Sequence, residues 1–96
     1  MTADAPQRRK AQVVVRGRVQ GVSYRAWLVA QAETRGIDGW VRNRADGGVE
    51  AIVVGHADAI DALIEACREG PPLAVVTDVI AIDASEEPGS GFHIRA

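Results

Sequence analysis

From Gln12 to Gln20 the chain alternates Val13, Val15, Gly17 and Val19 with Val14, Arg16 and Arg18, and after Gly21 this period of two gives way to a helical one. A strand with one apolar face must therefore turn directly into an amphipathic helix. Over Tyr24 to Arg35 the apolar stripe is Tyr24, Leu28 and Ala32, with Trp27 and Ala30 nearby. Ser23 stands where a capping hydroxyl is expected and Gly36 where a helix stops. This spacing assigns Tyr24 and Trp27 to the core rather than to a ligand.

The same change of period recurs in the second half. Gly39 to Arg44 and Gly48 to Gly55 are strand candidates joined through Ala45-Asp46-Gly47, and Asp-Gly is a strong hairpin signal. They are expected to pair antiparallel, with Ile52 and Val54 on a partly apolar open face that offers a weak self-association surface. Asp58 to Glu69 places Ile60, Leu63, Ile64 and Cys67 on one helix face, and Gly70-Pro71-Pro72 ends it. Val75 to Asp83 is a further strand of unfixed register, Ser85 to Gly91 a polar loop, and Phe92 to Arg95 a short closing strand. Strand, helix, strand, strand, helix, strand describes an α+β chain. The expected architecture is a ferredoxin-like βαββαβ sandwich, a four-stranded antiparallel sheet with both helices on one face and a short terminal strand.

The chain has 96 residues, 47% hydrophobic and 25% charged, which fits one domain. Its apolar runs are strand-length, so no membrane span is expected. Residues 1–10, with the basic cluster Arg8, Arg9 and Lys10, are expected to form a flexible lead-in to a domain at 11–96, and with no apolar signal-peptide core after that cluster the expected location is cytoplasmic. Cys67 has no disulfide partner and falls on the apolar helix face, as a packing residue would. The net charge of −2 is unevenly spread: residues 1–48 hold nine Arg or Lys against four Asp or Glu, and residues 49–96 hold two against nine. Such a field favours a small anion near the first half, while the acidic balance argues against extended nucleic-acid binding.

Gly17-Arg18-Val19-Gln20-Gly21-Val22-Ser23-Tyr24-Arg25 joins the first strand to its helix. Free N–H groups and the positive dipole end at a helix start can hold a phosphate, and Arg25 adds a cation on the first turn. The segment lacks the Gly-Lys-Ser/Thr of a nucleoside-triphosphate loop and the three glycines of a dinucleotide fingerprint. Asn43 ends the strand before the hairpin, so that it and Arg25 can meet at one rim of the sheet. Taken singly, Arg25 could be a solvated helix residue and Asn43 a turn initiator. Ser23 has no acid or base partner at catalytic spacing, and Cys67, His56 and His93 form no ligand cluster, so no metal is expected.

With Gly39-Trp40-Val41-Arg42-Asn43, Asp46-Gly47-Gly48-Val49-Glu50, Gly70-Pro71-Pro72 and Phe92-His93-Ile94-Arg95, the opening segment makes the chain resemble the acylphosphatase family from about Gln12 to Arg95. The resemblance implies hydrolysis of the carboxyl–phosphate bond of acyl phosphates to a carboxylate and inorganic phosphate, with no cofactor or metal. It places the catalytic arginine on Arg25 and the catalytic asparagine on Asn43. Gln20, Gly21, Val22, Ser23 and Tyr24 are expected to form the substrate phosphate-binding loop. The partners implied are a small acyl phosphate and phosphate as product and inhibitor, with no nucleic acid or membrane, and the chain is expected to be a monomer. The same module occurs inside larger carbamoyl-transfer maturation proteins, and here the stand-alone form is expected. The competing expectation is a non-catalytic regulatory domain of the same fold that binds a small anion. An RNA-binding module would need stacking aromatics on its central strands, and Gly48 to Gly55 has none.

Overall fold

The computed structural model describes residues 7–96. Seven elements follow one another: β1 (Arg8–Arg18), α1 (Tyr24–Thr34), β2 (Asp38–Asn43), β3 (Val49–His56), α2 (Ala57–Glu69), β4 (Val75–Asp83) and β5 (Phe92–Ile94). The expected flexible lead-in at 1–10 thus overlaps the sheet. Arg8, Arg9 and Lys10 pair with His56, Gly55 and Val54, because β3 is long enough to offer partners that far back. Met1 to Pro6 lie outside the described residues.

The strands form one sheet in the order β4-β1-β3-β2-β5. β1 is antiparallel to both β3 and β4, and β2 is antiparallel to β3. The closing strand extends the expected four-stranded sheet to five by pairing parallel to β2, Val41 opposite Ile94. The register of β4, open in the sequence, places Val15 opposite Val79 and shifts between Arg16 and Gly17. Gly17 sits at that shift with φ 125°, and a Cβ there would lie 2.1 Å from the Val75 carbonyl oxygen, so only glycine fits.

Strand alternation divides the sheet into two faces. Val13, Val15, Val41, Val49, Ala51, Val53 and Val79 form one core with Tyr24, Leu28 and Ala32 of α1 and Ile60, Leu63, Ile64 and Cys67 of α2. Both helices therefore cover one face, as the binary pattern requires. On the other face Trp40, Ile52 and Val54 form a second small apolar cluster against Ala84. Ile52 and Val54 are buried there, so they offer no self-association surface. The Trp40 indole N–H donates to Glu86 at 2.7 Å and the Arg95 guanidinium stacks 4.4 Å from its ring, which fixes the β4–β5 loop over this face.

α2 is capped by the side chain of His56, whose Nδ1 accepts the Asp58 N–H at 3.2 Å. Gly70 ends it at φ 69°, where a residue without Cβ carries no left-handed penalty.

Candidate active site

β1 and β2 are not neighbours. β3 lies between them, antiparallel to each, so β1 and β2 run the same way and finish at the same end of the sheet. Val49 pairs with Val15 on one side and Asn43 on the other. The segment leaving β1 and the end of β2 are brought together by this register alone.

Beyond Arg18 the chain turns around two anchors, Val19 and Tyr24, each 1% exposed. Gly21 has φ 74° with nothing within 4 Å of a built Cβ, so its demand is conformational rather than steric. Ser23 is also left-handed, φ 64°, and its side chain accepts no cap bond. The expected hydroxyl cap is therefore absent: in the left-handed conformation Ser23 contributes its carbonyl, which accepts the Trp27 N–H at 3.0 Å. Gly21 and Ser23, both left-handed, flank Val22, a backbone pattern of the kind from which anion nests are built. Among the described residues, the N–H groups of Gly21, Val22, Ser23 and Tyr24 donate to no protein acceptor.

Arg25 and Asn43 line one open cleft of about 360 Å³ together with Val19, Gly21, Ser23, Tyr24, Ala26 and Ile94. Arg25 is half-buried on the first turn of α1 and makes no ion pair among the described residues. Three other cations of the basic half are engaged. Arg42 pairs with the buried Glu50 at 2.9 Å, Arg44 with Asp46 at 3.1 Å and Arg16 with Asp46 at 3.4 Å. Asn43 alternates with Val41, so it faces the helix side while Arg42 faces the other.

The remaining members of the expected loop divide. Gly21, Ser23 and Tyr24 line the cleft, whereas Val22 packs against the core and Gln20 reaches across to the hairpin. The Gln20 side-chain N–H₂ donates to the Arg44 carbonyl and to the Gly48 carbonyl, both at 2.8 Å. Ile94 enters the cleft from β5, which the sequence pattern did not foretell, because parallel pairing to β2 leaves no signal in a three-residue strand. The Tyr24 ring meets Trp27 edge-on at 5.2 Å, and its hydroxyl donates to the Cys67 carbonyl at 2.7 Å. Burial, with Cys67 adding to it, raises the Tyr24 pKa, so the phenol is a fixed neutral post.

Residues 11–94 match the family model described as Acylphosphatase. The chain belongs to the acylphosphatase family. It is 50% identical over 84 residues to the acylphosphatase of Acidiphilium cryptum, covering 88% of this chain and 92% of that one. Among solved structures, an acylphosphatase from Coxiella burnetii is similar with a TM-score of 0.88 and 38% identity, over 92% of this chain and 93% of the other. The acylphosphatase from Bacillus subtilis gives a TM-score of 0.85 at 35% identity, over 91% and 98%. The acylphosphatase fold thus extends across nearly all the described residues, the cleft included.

Proposed function

We infer that this chain hydrolyses acyl phosphates to a carboxylate and inorganic phosphate, with the cleft between Arg25 and Asn43 as the reaction site. Family membership supports the reaction. The observation that carries the site is that Arg25, Asn43 and the N–H-bearing turn at Gly21 to Tyr24 share one cleft.

In this reaction water forms a bond to phosphorus while the bond from phosphorus to the acyl oxygen breaks, and its electron pair leaves on the carboxylate. A carboxylate needs no protonation to leave, so the transition state is loose and the main demand is on charge and position. The unpaired Arg25 guanidinium, a planar fork, and the turn's N–H groups are suited to three phosphoryl oxygens. Asn43, whose amide can both accept from and donate to water, orients the nucleophile from the strand side. No carboxylate or imidazole lines the cleft among the described residues, so the water's proton passes to a phosphoryl oxygen or to solvent. The same reading takes the protein as a cytoplasmic monomer that product phosphate inhibits by competing for the Arg25 subsite.

The test is turnover of benzoyl phosphate by the wild type, Arg25→Ala and Asn43→Ala, with phosphate titrated into each. Each substitution is expected to lower kcat by about 10²–10³-fold, the scale for removing one preorganised donor. Arg25→Ala also weakens phosphate binding, and Asn43→Ala leaves it largely intact. Undiminished turnover in both variants overturns the site. Phosphate binding without turnover in the wild type leaves an anion-binding domain instead.

A further inference from the structure

We propose that Gln20 is a positioning residue: it binds no substrate, and its side-chain amide locks the Asn43 hairpin to the anion-binding turn. This rests on the function inferred above and adds a role to a residue that the sequence places among the phosphate ligands.

Gln20 is half-buried between the turn and the β2–β3 hairpin. Its N–H₂ has two hydrogens, and each is used, one on the Arg44 carbonyl and one on the Gly48 carbonyl, at 2.8 Å. Since both partners are acceptors only, the nitrogen must be the end that faces them. The two carbonyls belong to the residues that close the hairpin, where the Arg44 N–H donates to the Gly48 carbonyl at 2.8 Å. Arg44 follows Asn43 directly, so fixing its carbonyl fixes the direction in which the chain leaves Asn43. The other end of the tether is continuous with Gly21. Displacement of either half of the cleft must break these bonds or move the other half, which is how two loops on non-adjacent strands hold sub-ångström geometry. A loosely held group near the chemistry costs rate out of proportion to its own contacts.

Removing the tether need not unfold the protein. The Gly48 carbonyl keeps the Arg44 N–H, and the Arg44 carbonyl keeps the Gly47 N–H at 3.2 Å, so neither acceptor is orphaned. Gln20→Met retains the length of the side chain and deletes both donors. Its expected signature is a kcat lower by about 10–30-fold with the phosphate Kd within about threefold of wild type. In the Asn43→Ala background the same substitution is expected to change kcat by less than about twofold, because its effect passes through Asn43. Gln20→Glu sets a carboxylate against two carbonyl oxygens at neutral pH, and protonation returns one donor. Its kcat relative to wild type is expected to rise from pH 7 to pH 5.

An unchanged kcat in Gln20→Met overturns the proposal. So do losses that multiply in the double variant, and a phosphate Kd that weakens as much as kcat/KM falls. Amide hydrogen exchange supplies a readout independent of turnover: in Gln20→Met, Arg44 N–H exchange is expected to speed up at least about tenfold while core amides keep their protection. Unchanged Arg44 protection rejects the tether even if benzoyl phosphate proves not to be a substrate, whereas full turnover by Asn43→Ala with lost Arg44 protection rejects the site and leaves the tether standing.

Discussion

The Tyr24 hydroxyl donates to the carbonyl of Cys67 at 2.7 Å, and that carbonyl has no partner in its own helix because the residue four places on is Pro71, which has no N–H. The first residue of α1 thus completes the last turn of α2. Tyr24→Phe leaves a buried acceptor unsatisfied and is expected to lower stability by about 1–3 kcal/mol. Urea unfolding should show a lower midpoint at unchanged slope.

The same pair sets an alkaline limit. Burial pushes the Cys67 thiol up to about 11 from 9.0, partly opposed by the Tyr24 hydroxyl, Arg35 and Arg68, and burial also raises Tyr24 from 10.0. In the unfolded chain both ionise earlier, so above pH 9 the unfolded state binds fewer protons than the native one. Stability is therefore complete below pH 9 and falls as pH rises through 9 to 11, at up to about 1.4 kcal/mol per pH unit for each group. Unfolding free energies measured against pH should decline less steeply there in Cys67→Ala, and less steeply above pH 10 in Tyr24→Phe.

Ser23 tests whether its conformation or its hydroxyl matters. A left-handed non-glycine residue costs about 1–2 kcal/mol, and glycine returns about half of that as unfolded-state entropy. Ser23→Ala is expected to change stability by less than about 0.5 kcal/mol, since no cap bond is lost. Ser23→Gly is expected to stabilise by about 0.5–1 kcal/mol. A loss of 1 kcal/mol or more in Ser23→Ala on urea titration would restore the capping role.

Asp46 braces the hairpin from outside. Its carboxylate accepts the Gly48 N–H at 3.0 Å and pairs with Arg44 and Arg16, and these hold its pKa below the ordinary 3.8, the Gly48 bond foremost. The charged form is the one favoured in the native state, so its stabilisation is present above pH 3.8 and fades as pH falls through the lowered value. Asp46→Ala is expected to melt below wild type at pH 7, and the gap should narrow both below pH 4 and in high salt. A gap that ignores pH would assign the brace to packing.

The order of elements, the helix-covered core face and the meeting of Arg25 and Asn43 at one rim were legible because the change from period two to helical spacing and the Asp-Gly signal are local, whereas the second cluster of Trp40, Ile52 and Val54 was not, because what covers it comes from Ala84 and Glu86, far along the chain. β4 was bounded correctly over Val75 to Asp83, yet its register was not, since it depends on the bulge at Gly17, where the Val75 carbonyl approaches. The strand beginning at Arg8 was hidden by its polar side chains, for pairing there is set by the length of β3 and not by an apolar pattern. Ser23 has a capping side chain in a conformation that cannot use it. Gln20 looked like a ligand because sequence shows the neighbours of a residue along the chain, and its two acceptors lie 24 and 28 residues away.

β1, the strand that delivers the chain into the turn at Gly21 to Tyr24, is held by β3 on one edge and β4 on the other, with Ala11 opposite both Val53 and Asp83. Neither edge can be satisfied by nearby sequence, so loop closure over most of the chain must precede the pairing that rewards it. Folding is accordingly expected on the millisecond-to-second scale of non-local topologies. The turn at Gly21 to Tyr24 has no autonomous folding unit of its own. A peptide carrying Gly17 to Asn43 contains both Arg25 and Asn43, but without β3 between its strands it has no means of bringing them together.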